Sequence, residues 1–148
     1  MMKKASKYLT HAITFLLILL WVYAAVSKLI DFRHFKYEMH NQALLPFVQE
    51  LLIYLLPPAE IIVALLLMFE KWTIWGLYCS ALLLTLFTIY ISMTLVHFFK
   101  YVPCSCGGIL EHMGWTPHLF FNLFFLLITL TTLYITKKER SVVADNYH

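Results

Sequence analysis

The chain has 148 residues, a length that suits one domain, but 61% of them are hydrophobic and only 13% are charged. With 17% aromatic residues and a mean hydropathy of +0.77, too little polar surface remains to cover a water-soluble globule. The net charge is +3, and the basic residues lie at the two ends and in short connections, which excludes a basic nucleic-acid-binding face. The composition indicates an integral membrane protein.

Four apolar runs are each long enough to cross a bilayer, which takes about 20 helical residues. They predict an all-α fold: an integral membrane four-transmembrane-helix bundle forming a single domain of residues 1–136, followed by a cytoplasmic tail at 137–148 whose last residues, 141–148, are expected to be disordered. The predicted spans are residues 9–30, 47–69, 72–99 and 117–136. The first run is longer than the apolar core of a signal peptide, which favours a retained span.

Prolines give two of these spans local signals. Pro57 and Pro58 lie inside the second span, where their missing amide hydrogens predict a kink. The fourth span is expected to begin at Pro117, with Thr116 as its N-cap.

The distribution of lysine and arginine predicts the orientation. Seven of these residues lie in the termini and the second connection, against four in the first and third connections. By the positive-inside rule both termini are then cytoplasmic. The prediction is a multi-pass protein of the bacterial inner (cytoplasmic) membrane, with its third connection in the periplasm.

The first connection is expected to contain a short helix that lies in the membrane interface. Phe32, Phe35, Met39 and Ala43 recur at helical spacing, and Asp31 stands where an N-cap would be.

The third connection carries the most reactive pattern, a Cys-x-Cys pair in "PCSCGG". A disulfide between Cys104 and Cys106 would close a very small ring, for which chain entropy supplies only about 1.6 kcal/mol before strain. Such a bridge is a poor staple but an easily exchanged one. Cys106 also precedes a short helical stretch whose dipole would favour its thiolate, although we expect Cys104 to react first.

The remaining cysteine and the nearby histidines leave other interpretations open. Cys79 lies roughly 30 Å from the third connection by helical rise, so it is expected to be a packing residue. Two thiols with His112 or His118 could bind copper or zinc, but strong zinc patterns space their cysteines two to four residues apart and supply four ligands. A third interpretation is a scaffold or assembly subunit, in which the cysteines only shape the loop that docks another envelope protein.

A few polar residues lie within the predicted spans. Glu60 follows the proline pair at a depth where water is not expected, and Lys28 is its nearest cationic partner in the sequence pattern. Either this is a structural pair with Lys28 snorkelling outward, or Glu60 handles protons. His97, near the cysteine pair, could accept a thiol proton. Asn122 is more consistent with helix packing than with contact to a ligand.

Small residues also form a stripe on the third span at multiples of four positions. They are Gly76, Ser80, Thr88 and Ser92. Small residues at this spacing let helices approach closely, so the stripe predicts a helix–helix contact.

Four stretches of the chain resemble a known family over about residues 20–130. They are "YAAVSKLIDFRHF", "PPAEIIVALLL", "GLYCSALLLTLFTIYI" and "PCSCGGILEHMGWTPHLFFNLFF". In these stretches the chain resembles the MauE branch of the DoxX-like membrane proteins, in the variants widespread in Bacteroidetes.

The resemblance implies a four-helix membrane bundle with a redox-associated role, in which MauE helps to mature a disulfide-rich periplasmic dehydrogenase subunit alongside a thioredoxin-like partner. It also implies that Cys104 and Cys106 are the functional cysteines. The architecture is similar to vitamin K epoxide reductase, where a four-helix bundle couples thiols to a quinone. The leading hypothesis is therefore thiol–disulfide exchange with a periplasmic thioredoxin-like protein, with Glu60 or His97 handling protons and a quinone as candidate acceptor. A second cysteine pair of the shuttle type is missing from the sequence, so the partner would supply the other thiols.

Overall fold

The computed structural model of the chain describes residues 2–96 and 114–145, with side chains for 7–96 and 114–138. This part of the chain forms five α-helices: α1 (Met2–Ile30), α2 (Phe32–His40), α3 (Pro46–Met68), α4 (Thr73–Leu95) and α5 (Trp115–Asp145). Four of them contain stretches long and apolar enough to cross a membrane, with mean hydropathies between 1.9 and 2.3. These stretches are Lys7–Ile30, Pro46–Met68, Thr73–Leu95 and Trp115–Lys138. The all-α class and the four apolar spans are therefore confirmed.

The fifth helix differs most from the prediction. It begins at Trp115, so Thr116 and Pro117 lie inside its first turn and the predicted Thr116 N-cap is wrong. Proline is tolerated there because the first-turn amides have no helical acceptor. The helix also continues to Asp145 instead of ending near Thr136. Residues 137–145 contain neither glycine nor proline and include Lys, Glu, Arg and Ala, which favour the helix, so the predicted disorder of residues 141–148 is wrong up to Asp145.

The helix α3 remains continuous through Pro57 and Pro58. Proline supplies no amide hydrogen, so the carbonyls four residues earlier, at Ile53 and Tyr54, cannot accept the usual helical bond there. A kink at this point stays a prediction.

The four long helices form a closed ring in the order α1, α3, α4, α5, and each packs against its two neighbours. One end of the ring carries the short turn between α3 and α4, and we call it the turn end. The other end carries α2, the last residues of α4 and the first residues of α5, and we call it the α2 end. The two ends are packed differently.

Apolar side chains fill the half of the bundle nearer the turn end. The buried members of this cluster come from all four long helices and are Leu17, Trp21, Val63, Ala64, Leu67, Leu77, Leu84, Phe125 and Leu133. Cys79 is a free cysteine that packs against the edge of the cluster, as expected for a packing residue.

The small-residue stripe of α4 makes the close contacts in this half. A Cβ on Gly76 would lie 2.9 Å from the backbone nitrogen of Leu67, so α3 and α4 meet there almost backbone to backbone. The hydroxyl of Ser80 accepts a 2.8 Å hydrogen bond from the indole N–H of Trp21 on α1. Gly76 and Ser80 of the stripe therefore join α4 to two other helices, as small residues do in membrane bundles.

The short helix α2 packs on the bundle through its apolar face. Asp31 caps it by accepting a 3.1 Å hydrogen bond from the backbone N–H of His34. Phe35 and Met39 are buried against Ile53 and Leu56 of α3. The helix ends at His40, so Ala43 is not part of it. A location in the membrane interface stays a prediction.

The outer surface of the ring is apolar on every side. Large exposed hydrophobic side chains occur along each long helix; examples are Phe15, Leu65, Leu82 and Leu127. A water-soluble bundle would cover this surface with charge, whereas a bilayer accepts it.

Candidate functional site

A buried ion pair joins α1 to α3 in the half of the bundle nearer the α2 end. Lys28 Nζ lies 2.9 Å from Glu60 Oε1 and 3.2 Å from Oε2, and it also donates to the carbonyl oxygen of Ala24 at 3.0 Å. These three acceptors match the three N–H groups of an ammonium. Lys28 is 5% exposed and Glu60 is 1% exposed, so water does not screen the pair.

The sequence positions of the pair explain how it is buried. Lys28 lies in the last turn of α1, and Glu60 lies three residues after the buried Pro57, on the same face of α3. The Phe35 ring of α2 covers the ammonium, with Nζ 5.9 Å from the ring centroid. The predicted pairing of Lys28 with Glu60 is confirmed, and the lysine stays inside the bundle instead of reaching the surface.

Beside the ion pair lies a cavity of about 250 Å³. Its walls come from the α2-end half of each long helix and from the connection between α2 and α3. The lining is mostly apolar and includes the aromatic residues Trp21, Phe87, Trp115 and Phe121. The cavity therefore lies toward the α2 end, whereas the apolar cluster packs the bundle toward the turn end.

Two glutamines and a tyrosine hold the roof of this cavity in place, and we call these three residues the polar roof. The Gln42 side chain accepts a hydrogen bond from the Tyr90 hydroxyl of α4 and donates to the Glu38 carbonyl at 3.1 Å. Gln49 of α3 donates to the Gln42 carbonyl at 2.8 Å. Both glutamines are buried, and the partly buried bond from Tyr90 to Gln42 joins the connection between α2 and α3 to α4.

The first turns of α5 supply polar groups on another wall. His118 and Asn122 are four residues apart, line the cavity and are 3% and 5% exposed. Within the part of the chain that the structure describes, Asn122 Nδ2 has no hydrogen-bond partner. Asn122 was expected to serve packing, and it instead borders an open space with a spare donor.

The predicted site residues fall into two groups. Glu60 lies in the cavity wall, paired with Lys28. Cys104, Cys106 and His97 lie outside the described residues, as does His112. The described chain reaches Val96 after α4 and resumes at Gly114 before α5. Within residues 2–96 and 114–145, no group of three or more His, Cys, Asp or Glu residues is arranged to hold a metal ion.

Sequence reasoning missed the polar roof and gave Asn122 and His118 other roles. A signal was present, because Gln49, His118 and Asn122 are polar residues close to or within apolar runs. Tyr90 gave none, since tyrosine is common along the spans of this chain. What the sequence could not provide was that Gln42, Tyr90, His118 and Asn122, from three different segments, border one space.

Comparison with known proteins identifies a family over most of the chain. The sequence model of the family described as "Methylamine utilisation protein MauE" matches residues 6–135. Neither the comparison with curated proteins nor that with solved structures returned a match.

Proposed function

The chain belongs to the MauE family, and from this premise we propose that it is a thiol–disulfide exchange protein of the inner membrane. The reactive group is the Cys104–Cys106 pair, and the partner is a thioredoxin-like envelope protein with two thiols. The observation that carries the proposal is the Cys-x-Cys pair in the connection between α4 and α5, the two helices that meet beside the buried ion pair and its cavity.

The exchange proceeds in two steps whose electrons balance. A thiolate of the partner attacks the Cys104 sulfur of the bridge, which forms a mixed disulfide and releases Cys106 as a thiolate. The partner's second thiolate then attacks the partner's sulfur in the mixed disulfide. This forms a disulfide within the partner and releases Cys104 as a thiolate. Two electrons and two protons have then passed to the pair, which ends as two thiols.

A two-electron acceptor must restore the bridge. We assign this role to a quinone, which takes two electrons and two protons from the thiols and becomes a quinol. Glu60 and His97 are the candidate carriers of these protons. For Glu60 the support is its position in the cavity wall, hydrogen-bonded to an ammonium. For His97 it is the sequence alone.

The architecture supports a site at the α2 end. The described helix ends on both sides of the cysteine connection contact the cavity: Tyr90 and Ile91 near the end of α4, and Trp115 and His118 at the start of α5. Trp115 packs edge-on against Tyr90, with ring centroids 6.4 Å apart. By the lysine and arginine distribution this end faces the periplasm, an oxidising compartment where disulfides form.

Alkylation trapping in intact cells tests the proposal. We expect wild-type protein to show a fraction with Cys104 and Cys106 bridged. We expect the Cys106→Ser variant to keep Cys104 as a free thiol and to leave the partner's thiols reduced, because no bridge can form for the partner to attack. Cys79→Ser is the matched control and should behave as wild type, since Cys79 packs against the core.

Two other results would decide against the proposal. If both thiols stay reduced and no adduct forms, exchange does not occur. If an envelope protein co-purifies equally with wild type and with the Cys104→Ser/Cys106→Ser variant, and its own thiols are unchanged, the chain is a scaffold.

A further inference from the structure

The cavity beside the ion pair has the size of a single ring-shaped molecule. Its volume of about 250 Å³ is just below the range of roughly 300–1,000 Å³ in which drug-sized ligands bind. Aromatic side chains from three helices line it, including Trp21, Phe87 and Phe121. Their ring faces and edges can pack against a planar apolar ring.

A hydrogen-bond donor without a described partner borders this space. Asn122 is 5% exposed, and its Nδ2 group has no acceptor among residues 7–96 and 114–138. A buried donor left in this state is costly, and a ligand that brings an acceptor oxygen removes the cost. The three N–H groups of Lys28 are already used by Glu60 and Ala24. The free donor of Asn122 therefore favours a ligand that carries a hydrogen-bond acceptor. Lys28 does not favour an anionic ligand, because Glu60 neutralises its charge.

The cavity reaches the lipid-facing surface between α3 and α4. Leu86 of α4 lines it while 53% of that residue is exposed on the outside of the bundle. Val48 and Leu52, which are partly exposed, line it from α3. The two helices meet closely at Gly76 and Leu67 near the turn end, whereas at the α2 end both contribute side chains to the cavity wall. A ligand that enters this cavity between Leu52 and Leu86 would come from the hydrocarbon core of the bilayer.

We infer that this cavity binds the head ring of a lipid-soluble quinone, with Asn122 donating a hydrogen bond to one ring carbonyl. A quinone has the planar ring, the acceptor oxygens and the lipid solubility that the walls, the amide and the opening require. A phospholipid head group fits poorly, because the lysine in the described lining is paired with a carboxylate. The inference rests on the proposed function and adds to it the location of the electron acceptor.

Binding of duroquinone to the purified full-length protein in detergent tests the inference. Duroquinone has no free ring position at which thiols can add, so it does not label the cysteines. Durene, the same tetramethylated ring without the two oxygens, is the matched control ligand. We expect duroquinone to bind roughly tenfold more tightly than durene, which corresponds to one buried hydrogen bond.

Two variants connect the binding to this cavity. Asn122→Leu removes the donor but keeps a similar side-chain volume. The affinity for duroquinone should then fall to that for durene, while the affinity for durene should not change. Retained durene binding also shows that the variant is folded. Ala24→Leu fills the cavity from α1 and should weaken both ligands. Leu123→Ala, on the neighbouring α5 position that does not line the cavity, should leave both affinities unchanged.

Equal affinities for the two ligands, or an Asn122→Leu variant that still prefers duroquinone, would overturn the inference. So would absence of binding by both. The Cys104→Ser/Cys106→Ser variant separates this result from the proposed function. This variant should bind duroquinone as wild type does, because the inferred site does not include the cysteines. If thiol exchange fails but duroquinone binds, the proposed function is contradicted and the quinone site is not.

Discussion

Glu60 and Lys28 form a buried ion pair in which each charge depends on the other for compensation. Each partner is at least 95% buried, and all three ammonium hydrogens have acceptors. Desolvating two charges is expensive, so such a pair is roughly neutral for stability when intact. Removal of one partner is different, because the remaining charge is then buried without compensation.

We therefore predict that Lys28→Met lowers the free energy of unfolding by about 3–5 kcal/mol, as measured by SDS titration in mixed micelles. The double variant Lys28→Met/Glu60→Leu should recover most of this loss, because it replaces the pair with apolar side chains of similar volume. Lys71→Met removes an exposed lysine and is the matched control.

The double variant also separates structure from chemistry. If Lys28→Met and the double variant are equally destabilised, the pair does not act as a compensated unit. If the double variant is stable but no longer reoxidises its cysteine pair, Glu60 contributes to proton transfer.

Among the helices, the contact between α3 and α4 depends on a single missing side chain. A Cβ at Gly76 would stand 2.9 Å from the Leu67 backbone nitrogen and from two of its side-chain carbons. A flexible side chain could move aside, but the backbone of a packed helix cannot do so without shifting α3. The absence of a side chain at this position therefore sets the distance between the two helices.

We predict that Gly76→Ala destabilises the protein by about 1–3 kcal/mol in the same titration, because overpacking displaces α3. Helix propensity alone predicts the opposite sign, since alanine in a helix interior is favoured over glycine by about 1 kcal/mol. Gly114→Ala is the control: among the described residues its Cβ would meet Pro117 Cδ at an ordinary 3.9 Å. A neutral or stabilising effect at Gly76 would contradict the close contact.

For the whole molecule, the difference between the two ends matters most. The turn end is packed with apolar side chains, whereas the α2 end holds the ion pair, the polar roof and the cavity. The proposed chemistry requires the α2 end to face the oxidising side of the membrane. This orientation rests on the distribution of lysine and arginine.

We predict the orientation from single cysteines placed in a cysteine-free background. Asn41→Cys, just after α2, should react with a membrane-impermeant maleimide in intact spheroplasts. Lys71→Cys, in the turn between α3 and α4, should react only after permeabilisation. Both positions are exposed, so accessibility within the fold does not bias the comparison. The reverse pattern would place the α2 end in the cytoplasm and remove the basis for exchange with a periplasmic partner.

Hydropathy and local spacing determined the elements of this protein. A bilayer requires about 20 consecutive apolar residues per helix, so the four spans could be predicted from the sequence. The cap at Asp31 and the pairing of Glu60 with Lys28 were also readable, because few other groups can satisfy a helix start or a buried carboxylate. Helix ends were less readable, as α5 shows, since neither glycine nor proline interrupts residues 137–145 after its apolar span.

Only the tertiary structure decided what these elements enclose. Gln42, Tyr90 and the α5 pair His118 and Asn122 come from three separate segments, and each alone could have faced lipid, a neighbouring helix or a loop. The order in which the four long helices pack brings them to one space. The physical reason is that hydropathy measures how each residue partitions into the bilayer, whereas a cavity depends on how side chains far apart in the chain fill, or fail to fill, a shared volume.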